Sequence, residues 1–152
     1  MTDVRFVDLV EQPTAVVRDR VRMTELTSFF GAAFDAVARA LAARGAAPAG
    51  PPFAYYHGMP TEWVDVEAGF PVRAPIEPSG TVVPSVLPAG HAAEATHVGP
   101  YDTLQDTYDD VLGAVRAGGH QPASGMWEYY LSDPAAEPDP ATWRTTVVWP
   151  VS

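Results

Sequence analysis

The chain contains itself twice. Pro48-Ala49 recurs as Pro122-Ala123, Tyr55-Tyr56 as Tyr129-Tyr130, Gly45 as Gly119 and Asp35 as Asp109, all at a separation of 74 residues. The apolar positions keep the same spacing, since Phe30, Phe34, Val37 and Leu41 map onto Leu104, Tyr108, Val111 and Val115. A fixed period of that size means two copies of one supersecondary unit. Two copies facing each other about a pseudo-twofold axis leave a cleft between them. The repeat breaks at one chemically telling place, where Ala54 of the first copy becomes Glu128 of the second.

Each copy reads strand, strand, helix, strand, strand. The first helix is predicted from about Glu25 to Arg44, with its apolar stripe at helical spacing and Gly45 placed to cap it. Its twin runs from about Asp102 to Ala117, with capping chemistry in Tyr101-Asp102-Thr103 and a stop at Gly118-Gly119. Strands are predicted over Val4 to Leu9, Thr14 to Arg22, Phe53 to His57, Trp63 to Val72, Thr81 to Leu87, Ala92 to Val98, Met126 to Leu131 and Trp143 to Trp149. The expected fold is α+β: internally duplicated β-β-α-β-β units, two helices against antiparallel sheet, and a cleft between the repeats. The repeats, about 3–72 and 81–151, are joined through the proline-rich run from Pro71 to Gly80 and are expected to form one domain.

Composition narrows the chemistry. The 152 residues contain no cysteine, so disulfides, thiolate metal sites and cysteine nucleophiles are excluded. Histidines 57, 91, 97 and 120 show neither an i, i+4 pair nor an H-x-H, and neither a metal nor a cofactor is expected. The net charge is −10, and all nine cations are arginines scattered among acids; direct nucleic-acid binding, which needs clustered cations, is not expected. The overall field favours cationic or neutral ligands over organic anions. No stretch is expected to span a membrane, no leader is recognised, and a cytoplasmic protein is expected. Nucleophile elbows, phosphate loops and dinucleotide fingerprints are absent.

The segment Gly125-Met126-Trp127-Glu128-Tyr129-Tyr130 is the candidate site. In a strand, Met126, Glu128 and Tyr130 share one face and Trp127, Tyr129 and Leu131 the other. A carboxylate between a thioether and an aromatic ring is an unusual strand centre. Alternation alone leaves two readings open: Glu128 on a solvated face, or Glu128 in the inter-repeat cleft, where desolvation would raise its pKa. Asp65 and Glu67 share a face with Trp63 and read as a half-exposed strand, with pairing to Glu128 across the cleft as the alternative. His57 and His97, at strand ends, read as turn hydrogen-bonding residues rather than proton shuttles. The aromatics Phe53, Tyr55, Tyr56, Trp63, Tyr101, Tyr108, Trp127, Tyr129 and Tyr130 supply a core, and about a third of them are expected to line a site.

These pieces together resemble the GyrI-like small-molecule-binding domain, the effector-binding domain of AraC- and MerR-type multidrug regulators. The resemblance rests on His97-Val-Gly-Pro-Tyr101-Asp102-Thr-Leu104, on Gly119-x-x-Pro122 followed by Met126-Trp127-Glu128-x-Tyr130-Leu-Ser-Asp133-Pro134, and on Val64-Asp-Val-Glu67-Ala-Gly-Phe-Pro-Val72. It implies an aromatic pocket between the halves with Glu128 as charge partner for a cationic, lipophilic ligand. Trp127, Tyr130, Tyr56 and Phe53 would form its walls, with Tyr101 and Tyr108 beside them. No helix-turn-helix segment precedes the first strand, so a stand-alone binding module is expected, acting by sequestration or through a protein partner. The family also implies two alternatives: a hydrolase of cyclopropane-bearing natural products with Glu128 and Tyr130 as catalytic groups, or a gyrase-directed, protein-binding inhibitor.

Overall fold

A computed structural model describes residues 3–58, 61–132 and 136–152. Met59-Pro60, after His57, and Asp133-Pro134, which closes the motif above, lie outside the described residues. The order is β1 (Arg5–Leu9), β2 (Gln12–Arg22), α1 (Leu26–Ala43), β3 (Phe53–His57), β4 (Trp63–Pro71), then β5 (Val83–Leu87), β6 (Gly90–Val98), α2 (Leu104–Ala117), β7 (Gly125–Tyr130) and β8 (Arg144–Pro150). Each helix is entered through a 3-10 turn, Met23–Glu25 and Tyr101–Thr103. Asp102 and Thr103 make no side-chain cap for α2; the Thr103 hydroxyl donates instead to the Pro100 carbonyl. Both helices end as their glycines require. Gly45 and Gly119 take φ of 67° and 76°, and the amides that follow, Ala46 and His120, return to the carbonyls of Leu41 and Val115.

All eight strands join one antiparallel sheet in the order β1-β6-β8-β7-β3-β4-β2-β5. Exchanging each strand for its repeat counterpart reverses this order into itself, which is the signature of a pseudo-twofold axis between β3 and β7. The units do not stand side by side as closed blocks. The first strand of each repeat pairs with the second strand of the other, β1 with β6 and β5 with β2.

The repeat separation is not uniform. It is 78 residues at the helix starts, Leu26 to Leu104, and 74 at the helix ends, Ala43 to Ala117, because α1 has 18 residues and α2 has 14. One turn is the difference. Four residues carry a helix through about one turn, so the apolar stripe stays on the same face in both copies.

Both helices lie on one face of the sheet. Under α1, Val37 and Leu41 pack on Ala15, Val72 and Val82; under α2, Val111 and Val115 pack on Met126, Val147 and Trp149. On the opposite face Phe53, Trp127, Val16 and Val148 form a second core that also takes in Val7 and Leu9 of β1 and Leu87 of β5. The two edge strands of the order, β1 and β5, would lie about 34 Å apart in a flat sheet at ~4.8 Å per step. Their sharing one cluster shows that the sheet is curled. By length and composition alone the Met23–Ala43 run, at mean hydropathy 1.3 over its most apolar window, is apolar enough to cross a membrane; here it packs on the sheet through Ala33, Val37 and Leu41.

Candidate functional site

The β3–β7 register puts Ala54 directly opposite Glu128. These are repeat counterparts, so the pseudo-axis passes between them. The axis brings any residue there face to face with its own copy, and two carboxylates would repel at this distance. Ala54 supplies the volume that one glutamate needs. Glu128 is only 2% exposed, and the solvated-face reading is therefore wrong.

Around that carboxyl lies a cavity of about 970 Å³ between α1, α2 and the two central strands. Tyr130 donates to Glu128 Oε1 at 2.9 Å, and Tyr108, reaching down from α2, donates to Oε2. Tyr56, the repeat counterpart of Tyr130, lines the same floor. The Tyr130 ring is surrounded by Phe30 and Phe34 of α1 and by Tyr101, with ring centroids 6.0 to 6.3 Å away. Among the described residues, none that lines this cavity carries a positive charge.

Burial sets the electrostatics. Desolvation raises the Glu128 pKa to about 7, and the Tyr130 hydrogen bond only partly offsets it. The Tyr56 and Tyr130 phenols are held well above the ordinary phenol range, by burial first and then by the neighbouring Glu128 charge. Near neutral pH the site therefore presents a carboxyl balanced between its two protonation states and tyrosines that remain hydrogen-bond donors.

Of the residues singled out in the sequence, Glu128, Tyr130, Tyr56, Tyr101 and Tyr108 line the cavity. Phe53 and Trp127 do not. They occupy odd positions of β3 and β7 and point into the core on the other face of the sheet, which period-two alternation requires once Glu128 points inward. Trp63 is stacked by the guanidinium groups of Arg20 and Arg22 at the surface. Asp65 pairs with Arg18 at 3.0 Å. Glu67 is buried but stands opposite Tyr55, not Ala54, so it shares a face with Trp127 and cannot couple to Glu128; it hydrogen-bonds His57, whose ring stacks on Tyr55. The half-exposed reading of Glu67 is thus corrected. His97 ties the turn before α2, with Nδ1 on Thr107 and Nε2 on the Pro100 carbonyl.

Phe30 and Phe34 were legible only as a helix stripe. Their place on the cavity wall follows from how α1 crosses the central strands, which no local pattern encodes. Thr27 and Gln105, which also line the cavity, occupy the second position of each helix.

The fold and site together define a duplicated α+β ligand-binding module with one carboxylate on its internal axis. A sequence profile of the GyrI-like small molecule binding domain matches residues 2–152, and the chain belongs to that family. No curated protein sequence matches it. Among solved structures it resembles EcmrR in a complex with DNA, at a TM-score of 0.86 and 23% identity, covering 99% of this chain and 57% of that one. The chain thus spans little more than half of the length of that chain. It matches the crystallised EcmrR C-terminal domain over 100% of its length and 98% of that chain, at a TM-score of 0.81 and 21% identity. SAV2435 bound to tetraphenylphosphonium matches at 0.68 and 8% identity, covering 99% of this chain and 94% of that one. A hydrolase from Listeria innocua matches at 0.66 and 14% identity, covering 98% and 91%.

Proposed function

We propose that the chain binds aromatic, cationic, lipophilic small molecules in the cavity between its repeats, with Glu128 as the charge partner. One observation carries this reading: a buried carboxyl lies at the floor of a large aromatic cavity whose described lining residues include no cation to pair with it. A carboxylate so placed is costly to ionise unless a positive charge arrives. A ligand cation supplies that charge, while Tyr130, Tyr56, Tyr101, Phe30 and Phe34 offer ring faces and edges that attract cations and planar groups. The likeness to a protein holding tetraphenylphosphonium, a bulky aromatic cation, supports the ligand class. Binding of this kind serves sensing or sequestration, and a partner protein could read it out.

Fluorescence titration with planar cationic dyes and neutral isosteres tests the reading. Glu128→Ala and Glu128→Gln should weaken the cations by about ten- to a hundredfold, the worth of one charge-assisted contact, and leave neutral analogues nearly unchanged. Equal weakening of both classes would refute the role.

A second reading is favoured by the raised pKa of Glu128 beside the Tyr130 hydroxyl. A carboxylate with a pKa of about 7 can take a proton from water. The water oxygen would bond to an electrophilic ring carbon and the strained ring bond would open. The electron pair of the broken carbon–carbon bond would go to the departing carbon, which would take a proton from the Tyr130 or Tyr56 hydroxyl, and Glu128 would return the water proton to that tyrosine. Likeness to a protein described as a hydrolase supports this reading. Turnover of a cyclopropane-bearing substrate, abolished in Glu128→Gln while neutral-ligand binding survives, would establish it.

A further inference from the structure

The pseudo-twofold axis that places Glu128 also generates a second cavity. It measures about 380 Å³, within the range of small-molecule sites. Most of its lining repeats the first cavity, and only Ser124 and Trp149 have no counterpart there. Met23, Leu26 and Leu112 stand where Tyr101, Leu104 and Phe34 stand in the first, counted from the 3-10 turns at the helix starts. Tyr56 and Tyr108 likewise stand where Tyr130 and Phe30 do, and Met126 takes the place of Pro52.

The two cavities are back to back. Tyr56, Tyr108 and Gln105 line both. Tyr108 forms the partition: its hydroxyl donates to Glu128, while its ring stands edge-on to Trp149 of the second cavity at 6.3 Å and 86°. The chemistry nevertheless differs. The duplication supplies the shape twice and the charge once, because the counterpart of Glu128 is Ala54 and none of the described residues lining the second cavity is charged. Trp149 offers an aromatic face, Met23 and Met126 offer polarisable thioethers that favour ring edges, and Gln105, whose amide nitrogen donates to Asp109, leaves its carbonyl oxygen as an acceptor.

We propose that this second cavity is a binding subsite for a neutral planar aromatic group of one or two rings. Occupation does not require Glu128 to hold a cation, so the subsite stands or falls separately from the function proposed above.

The Trp149 indole N–H, which donates to the Ala123 carbonyl at 3.0 Å, reports on the subsite by NMR. Titrating the full chain with 2-naphthol at neutral pH should move this resonance saturably, with the same affinity in wild type and Glu128→Ala. Leu112→Trp fills the cavity from α2 and should abolish the shift while leaving cationic-dye affinity at Glu128 unchanged. Met23 lies at the exposed rim, so Met23→Trp should have the same effect even if Leu112→Trp impairs folding. A Trp149 resonance that does not respond, that saturates alike in wild type and the filled variants, or that is lost in Glu128→Ala would overturn the proposal. Dyes that fail to distinguish Glu128→Ala from wild type would sink the cation reading and leave the Trp149 result standing.

Discussion

At the residue scale, Glu128 carries two pH dependences of opposite sign. Its folded pKa of about 7 lies above its ordinary value of 4.5, so the folded state holds the proton more tightly than the unfolded chain. That contribution to stability is fully present below pH 4.5, declines as pH rises between the two values, and is gone above about 7. The shift corresponds to about 3 kcal/mol as an order of magnitude. Glu128→Gln, neutral at every pH, should therefore flatten the fall in denaturant midpoint seen for wild type between pH 5 and 8. A bound cation prefers the ionised form, so cation affinity should rise about tenfold per pH unit below 7 and level off above it. A pH-independent affinity in isothermal titration would mean that the ligand charge does not meet this carboxyl.

At the element scale, the central strands tolerate little. A Cβ at Gly69 of β4 would lie 1.9 Å from the Ala15 carbonyl oxygen of β2, against backbone that cannot swing away. Gly69→Ala should destabilise the protein by on the order of 3 kcal/mol or prevent folding, measured by chemical denaturation. Gly113, inside α2, meets nothing within 4 Å. Gly113→Ala should raise stability by roughly 0.5–1 kcal/mol through helix propensity alone. The contrast separates a glycine held by packing from one that is merely permitted.

At the scale of the whole molecule, the exchange of β1 and β5 makes each half depend on the other. Without β5, β2 becomes an edge strand, and without β1 the same happens to β6. Half-molecules cut within the Pro71 to Gly80 join should be largely unfolded alone and should regain sheet and helix signals on equimolar mixing, as followed by circular dichroism. Independent folding of either half would show that the exchanged pairs contribute little. The cavity belongs to this scale too, since its floor comes from both repeats and its walls from both helices.

The sequence by itself determined the repeat, the element order and most element ends, because period-two and period-3.6 patterns and glycine stops are local signals. It also singled out Glu128, where a duplicated strand exchanged Ala54 for a carboxyl. Alternation alone left open which face of β7 turns toward the helices, and with it whether Glu128 or Trp127 enters the cleft. The tertiary structure decided that, moving Phe53 and Trp127 into the opposite core and bringing Phe30 and Phe34 to the wall. It also decided the strand exchange, the pairing of Ala54 with Glu128 on the axis, and the burial that raises the carboxyl pKa. These are long-range facts: they depend on which strands meet and on how far the sheet curls, and neither register nor desolvation is written in the residues on either side of a position.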